Sequence, residues 1–228
     1  MSKLRDTIAA APWAAGLSPA QRLRVESETF SRTIPKGGFV CRRGQPADHW
    51  IVVVDGLVKL SSVSPSGKPT TFTAVPAGGW FGEGSLLKDE PRRYDATALR
   101  DSVAGYMPRP TFHSLLDENL AFARFLLVQL NERLGQFIGM VESERILGPD
   151  ARVAHCLAGL YNPTLYPGMG GVLEISQEEI AHLAGLSRQT VNHALKVLEE
   201  RAIVRVSYRG IAILKLEELA RYQSADAR

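Results

Sequence analysis

Apolar and polar positions change their period three times along the chain. Residues 4 to about 30 read as short helices broken at Gly16-Leu17-Ser18-Pro19, where Ser18 is placed to cap the helix that Pro19 opens. From about 32 to 108 the spacing gives way to short β-branched and aromatic runs separated by turn formers. Trp50-Ile51-Val52-Val53-Val54 leads into Asp55-Gly56, and Leu57-Val58-Lys59-Leu60 follows. Ser64-Pro65-Ser66-Gly67 then turns the chain into Thr70-Thr71-Phe72-Thr73-Ala74-Val75. Further breaks at Pro76-Ala77-Gly78-Gly79 and Glu90-Pro91, with no long helix between them, predict a small antiparallel barrel or sandwich.

Pro108-Arg109-Pro110 closes that region, and a long helix is predicted from about Asn119 to Ile146. Leu120, Ala123, Leu127, Leu130, Leu134, Phe137 and Val141 recur at alternating intervals of three and four residues, a heptad seam along which two copies can pack. At 1.5 Å per residue the helix would run roughly 42 Å. Phe122, Phe125, Leu126 and Ile138 fall off the seam and suit contact with the helix's own β domain. Gly148-Pro149 stops or kinks the helix and makes a natural hinge. The expected division is 1–118 for a β domain with N-terminal helices, 119–147 for the dimerisation helix and 148–228 for a third unit.

The most specific pattern lies between Ile175 and Glu200. Ser176-Gln177-Glu178-Glu179 reads as a capping box, Ile180, Leu183 and Ala184 make an apolar face, Gly185 breaks the helix and Ser187 is placed to cap a second one. Ala181, Gly185 and Val191 supply the small or β-branched residues that two closely crossing helices need. On the second helix Val191, Ala194, Leu195 and Leu198 fall within an arc of about 100°, and Arg188, Gln189, Asn192, His193 and Lys196 share an opposite arc of about 140°. From Ile180 through Leu198 there is no Asp or Glu. Such a face suits the major groove, where Arg pairs with guanine and Gln or Asn with adenine. Ala202-Ile203-Val204-Arg205-Val206 and Gly210-Ile211-Ala212-Ile213-Leu214 read as two strands of a wing, with Arg209 at the tip to reach a phosphate.

Composition restrains this picture without changing it. The chain has 228 residues, 45% apolar and 22% charged, with 27 Lys and Arg against 24 Asp and Glu. A net charge of +3 is too mild to argue for nucleic acid by itself. Residues 150 to 228 carry nine basic and nine acidic side chains, so phosphate contacts are expected to be few and local. Cys41 and Cys156 stand alone and read as reduced packing residues, with no metal or iron–sulfur site. Pure apolar runs reach about four residues, as in Phe125 to Val128, far short of a membrane helix. The N-terminus lacks the apolar core of a secretion signal, which makes a cytoplasmic location the expectation. No activated nucleophile, His–Glu metal motif or phosphate loop marks an enzyme, so no catalytic residues are assigned.

Taken in order, these parts resemble the cyclic-AMP receptor protein and fumarate–nitrate regulator family, written Crp-Fnr, over nearly the whole chain. The match is carried by the β domain with Phe81-Gly82-Glu83, the later Arg93, the long helix, and Ile175 to Glu200 with its Leu186-Ser187-Arg188-Gln189-Thr190-Val191 core. The resemblance implies an α+β architecture: an N-terminal antiparallel β-roll of the cyclic-nucleotide-binding-like jelly-roll type, a long dimerisation helix and a C-terminal winged helix-turn-helix. It implies a bacterial transcription regulator acting as a homodimer on double-stranded DNA with a dyad-symmetric operator, with RNA polymerase as a partner. It puts Arg188, Gln189 and His193 at base-reading positions, where the cyclic-AMP receptor has Glu and Arg in place of Gln189 and His193. Ser176, Gln177, Ser187 and Thr190, at the two helix starts, complete the expected DNA-contacting set. The resemblance further places Gly82, Glu83, Arg93, Tyr94, Phe137 and Ile138 at an effector site. Tyr94 stands where a small hydroxyl residue helps hold a cyclic phosphate, and Phe137 and Ile138 stand where hydroxyl residues meet adenine. Those exchanges make cyclic AMP an unexpected effector and leave another small ligand, or none, open. A competing reading is a ligand-binding or scaffold module whose winged helix serves protein contacts.

Overall fold

Local signals set the helix boundaries of the computed structural model, which describes residues 3–64, 67, 69–167 and 169–223. Helix α1 (Lys3–Ala10) and a 3-10 turn (Pro12–Gly16) precede α2 (Pro19–Glu28). The Ser18 Oγ accepts from the Gln21 N–H at 3.2 Å while Gln21 Oε1 accepts from the Ser18 N–H, a reciprocal cap. The antiparallel strands follow: β1 (Phe30–Ile34), β2 (Phe39–Cys41), β3 (His49–Asp55), β4 (Leu57–Val63), β5 (Pro69–Pro76) and β6 (Trp80–Phe81). A short helix α3 (Glu83–Leu87) interrupts them before β7 (Asp95–Ala98) and β8 (Ser102–Pro108). Of the turn expected at Ser64–Gly67, Pro65 and Ser66 lie outside the described residues.

The strands form two four-stranded sheets, ordered β1-β8-β3-β6 and β2-β7-β4-β5. Strand β3 is buried on both faces. Trp50, Val52 and Val54 point into a cluster with the helices, and Ile51 and Val53 point the other way, as period-2 alternation requires. The helix-side cluster is aromatic: Trp50 and Trp80 have ring centroids 4.2 Å apart, and Trp13, Phe112 and Phe122 pack edge-on around them. Burial of such rings dominates the stability of this layer.

Residues 111–118, left without an element by the sequence pattern, join Arg109 and Pro110 in helix α4 (Arg109–Glu118), whose first turn accommodates the proline. Asn119 then breaks the chain direction and starts α5 (Leu120–Ile146): its Oδ1 accepts from the Phe122 N–H, and its Nδ2 donates to the Gly16 carbonyl and Gln21 Oε1. Phe122, Leu126 and Gln129 form the buried face of α5, and Phe125 packs against the same core. Ile138, expected on that inward face, is 58% exposed instead. It lies about 160° around the helix from Phe122 at 100° per residue.

Gly148 precedes α6 (Pro149–Gly159), after which come β9 (Val172–Leu173), α7 (Gln177–Ala184), α8 (Arg188–Glu200), β10 (Val204–Ser207), β11 (Gly210–Ile213) and α9 (Leu216–Ala220). The wing has three strands, ordered β10-β11-β9, one more than the sequence pattern indicated. Strand β9 has only two residues, too few to show a period. The chain divides into two compact units, Met1–Glu132 with Pro163–Gly168, and Arg133–Asn162 with Met169–Arg228, so α5 belongs partly to each. No described helix is long and apolar enough to cross a membrane.

Candidate nucleic-acid interface

Helices α7 and α8 are fixed by their own ends. The Ser176 Oγ accepts from the Glu179 N–H at 3.2 Å, and Glu179 Oε2 accepts from the Ser176 N–H at 2.7 Å. Gly185 ends α7 in the left-handed region (φ 63°), where a Cβ would add strain and would stand 3.1 Å from the Arg152 guanidinium. Ser187 caps α8, accepting from the Thr190 N–H at 3.1 Å, and the two hydroxyls are hydrogen-bonded at 2.7 Å. Ser187 and Thr190 thus hold each other and set the first turn of α8.

Opposite faces of α8 do opposite things. Val191, Ala194, Leu195 and Leu198 are buried, whereas Arg188, Gln189, Asn192, His193 and Lys196 are exposed. Among the described residues, none of these five side chains has a hydrogen bond or ion pair within the chain. Ser176 is exposed at the start of α7, with Gln177 half-buried beside it. At the wing tip Tyr208 and Arg209 are exposed in the two-residue turn between β10 and β11. A cleft of about 280 Å³ separates that tip from the start of α7, lined by Ser176, Gln177, Tyr208 and Arg209, with Glu174 on its wall.

Two side chains with no local sequence signal steady this surface. Arg152, on α6, donates to the Ala184 carbonyl at 2.6 Å and caps the C-terminal end of α7. Glu199, near the end of α8, accepts from the Val206 N–H at 2.8 Å and ties the wing to the helix. Both bonds join separate elements, so helical period does not reveal them.

The expected effector residues are not assembled as the spacing from Glu83 suggested. Glu83 is buried at 2% exposure, directly after Gly82. The arginine packed against Gly82 is Arg92, which is 4% exposed and donates to the carbonyls of Gly82 (3.0 Å) and His49. A Cβ on Gly82, which has φ 91°, would lie 2.2 Å from the Arg92 Nη1. Arg93, expected at the effector site, has a side chain that is 68% exposed and paired at the surface with both carboxylate oxygens of Glu90, at 3.0 and 2.8 Å. Arg93 and Lys88 together hold the Glu90 carboxyl down to about 2. Tyr94 is half-buried. Phe137 and Ile138 lie on the part of α5 that belongs to the second unit, and both are exposed in the single chain.

Around Arg92 the titratable groups are set by burial. Desolvation is the main cause pulling His49 below its ordinary range and raising the Tyr106 hydroxyl. It pushes the Cys41 thiol up to about 11, and the Cys156 thiol, in the second unit, up to about 12. Both cysteines are free, and thiols so raised are poor nucleophiles.

A winged helix-turn-helix whose second helix opens with an exposed face free of acidic side chains through Leu198, carried by a chain with a β-roll, defines a DNA-binding transcription regulator. Comparison with known proteins supports the same class. The cyclic nucleotide-binding domain family matches residues 31–119, and the Crp-like helix-turn-helix domain family matches residues 151–222. The CRP-like cAMP-activated global transcriptional regulator of Mycobacterium tuberculosis is 29% identical over 210 residues, covering 90% of this chain and 93% of the relative. The crystal structure of the Thermus thermophilus catabolite activator protein superimposes with a TM-score of 0.51 at 28% identity, covering 92% of this chain and 99% of that one. FixK2 from Bradyrhizobium japonicum shares the fold with a TM-score of 0.70 at 21% identity, over 86% of this chain and 98% of that one. The chain belongs to the Crp-Fnr family of transcription regulators.

Proposed function

We propose that this regulator acts as a homodimer, paired along α5, that reads a dyad-symmetric operator through α8 and responds to a state of its β-roll. The observation that carries the reading is the exposed face of α8 from Arg188 to Lys196: five donor-bearing side chains, with no carboxylate among these residues and no internal partners among the described residues. Arg209 borders the cleft beside Ser176 and Gln177, and its guanidinium suits a backbone phosphate. Homodimerisation is supported by the seam of α5. Leu120, Leu127, Leu134, Phe137 and Val141 are exposed in the single chain, and Ala123 and Leu130 are half-buried between them. A second copy covers that stripe without disturbing the buried Phe122–Leu126–Gln129 face.

The β-roll supplies the sensor, and a state change there would shift the population of DNA-competent dimers. Cyclic AMP does not fit as the signal, although the Mycobacterium tuberculosis relative is described as cAMP-activated. A cyclic phosphate needs a cation free to fork onto its oxygens. Arg92 is occupied by two backbone carbonyls, and Arg93 faces solvent with Glu90. This arrangement favours an effector of other chemistry, or direct control by dimer formation. RNA polymerase is the machine whose access or recruitment the bound dimer alters.

The test is an electrophoretic shift with the protein's own upstream DNA, comparing wild type with Arg188→Ala. Sequence-specific binding is expected to fall about tenfold or more, because a bidentate arginine–guanine pair carries about 1–3 kcal/mol of discrimination. Unchanged specific binding by the variant would remove α8 as the reading element.

A further inference from the structure

The reading face of α8 is ordered by height as well as by chemistry. Arg188 and Gln189 are the first two residues of the helix, and Asn192 and His193 stand one turn above them. Arg188 to His193 spans about 7.5 Å along the axis, close to two base-pair steps, whereas Lys196 stands about 12 Å above Arg188. In helix-turn-helix proteins the N-terminal residues of the second helix meet base edges. The capped first turn, locked by the Ser187–Thr190 bonds, presents Arg188 and Gln189 there with their side chains unengaged. The longer amide of Gln189 reaches deeper than that of Asn192. His193, with two ring nitrogens, offers one bond to either purine at N7.

We propose that Arg188 and Gln189 set the core of each half-site as a guanine beside an adenine, with Gln189 as the residue that specifies the adenine and Lys196 as a phosphate contact without base preference. The inference rests on the DNA-binding reading above. Its chemical basis is that a glutamine amide both donates and accepts, matching N7 and N6 of adenine, and that guanine offers a guanidinium two acceptors, N7 and O6. A carboxylate at the same place would only accept and would select the amino group of cytosine. Because no Asp or Glu lies between Arg188 and Leu198, and Glu199 and Glu200 stand only at the far end of the helix, no such selection is built into its first turns.

The experiment is selection by the full-length protein from a duplex library with two randomised, dyad-related half-sites, run in parallel for wild type, Gln189→Glu and Lys196→Ala. Wild type is expected to enrich a guanine and an adenine in each half-site. Gln189→Glu is expected to replace that adenine by cytosine, shifting their relative affinities about ten- to a hundredfold. Lys196→Ala is expected to weaken all sequences alike. Folding is not the variable: Gln189 is exposed, and a carboxylate in the first turn of a helix favours it. If Gln189→Glu selects the same base as wild type at every position, the assignment of Gln189 is overturned while the DNA-binding reading stands. If wild type enriches no motif, both fall together.

Discussion

A methyl group on Gly82 would sit 2.2 Å from the Arg92 Nη1, and that distance separates two neighbouring arginines by role. Arg92 is buried on the Gly82 and His49 carbonyls, whereas Arg93 is exposed on Glu90. Replacing Arg92 with alanine leaves both carbonyls unmatched, at about 1–3 kcal/mol for each buried group. Arg92→Ala is therefore expected to destabilise the first unit by about 2–5 kcal/mol. Arg93→Ala is expected to leave stability unchanged, because an exposed ion pair is offset by solvation and side-chain entropy. All three tryptophans of the chain, Trp13, Trp50 and Trp80, belong to the first unit, so denaturant unfolding followed by indole emission reads that unit. Coincident midpoints for the two variants would refute the distinction, and cyclic AMP is expected to move neither transition. The sequence shows two adjacent arginines near the expected distance from Glu83 but not which one turns inward. That choice is made by backbone bonds to a distant loop, Arg92 N–H to the Gln45 carbonyl and Gly44 N–H to the Arg92 carbonyl.

At the scale of elements, α5 carries two apolar faces with different consequences. Phe122 is buried in the aromatic layer, whereas Leu127 is 67% exposed. Leu127→Glu is expected to leave the indole-monitored unfolding of the first unit nearly unchanged while converting the dimer to a monomer by sedimentation. Phe122→Ala is expected to do the reverse, lowering that unit's stability by about 3–5 kcal/mol through an unfilled cavity. A Leu127→Glu protein that sediments as a dimer would place the partner surface elsewhere. The heptad spacing is a property of sequence alone, and its positions are exposed or half-buried in the single chain. The inward face was half legible: Phe122 and Leu126 lie together, but Ile138 is too far around and along the helix from the buried positions to share their contact. The helix-turn-helix was the most legible element, since caps, glycine and face separation are local chemistry. Arg152 and Glu199 were not, because their partners belong to other elements.

For the whole molecule, the boundary between the two compact units falls inside α5, where helical period continues across Glu132 and Arg133 without a break. The shared helix matters because the proposed dimer seam runs along the element in which the second unit begins. With residues 150–228 balanced in charge, the proposed dimer is expected to draw its affinity from two half-sites rather than from a strong field. If each protomer sets about two cations, such as Lys196 and Arg209, against phosphates, log K against log salt should have a slope near −3.6. Binding should then fall about a hundredfold between 50 and 200 mM salt, less than for a highly basic domain. Two-fold symmetry also requires half-sites separated by about one helical turn of DNA, 10–10.5 base pairs. Inserting about five base pairs puts the second half-site on the opposite face and should reduce affinity to that of an isolated half-site. Leu127→Glu should bind the intact operator no better than wild type binds that isolated half-site. Footprints on operators of graded spacing make the measurement. Equal protection at every spacing would mean that each protomer binds alone, and the paired α5 helices would then have no part in recognition.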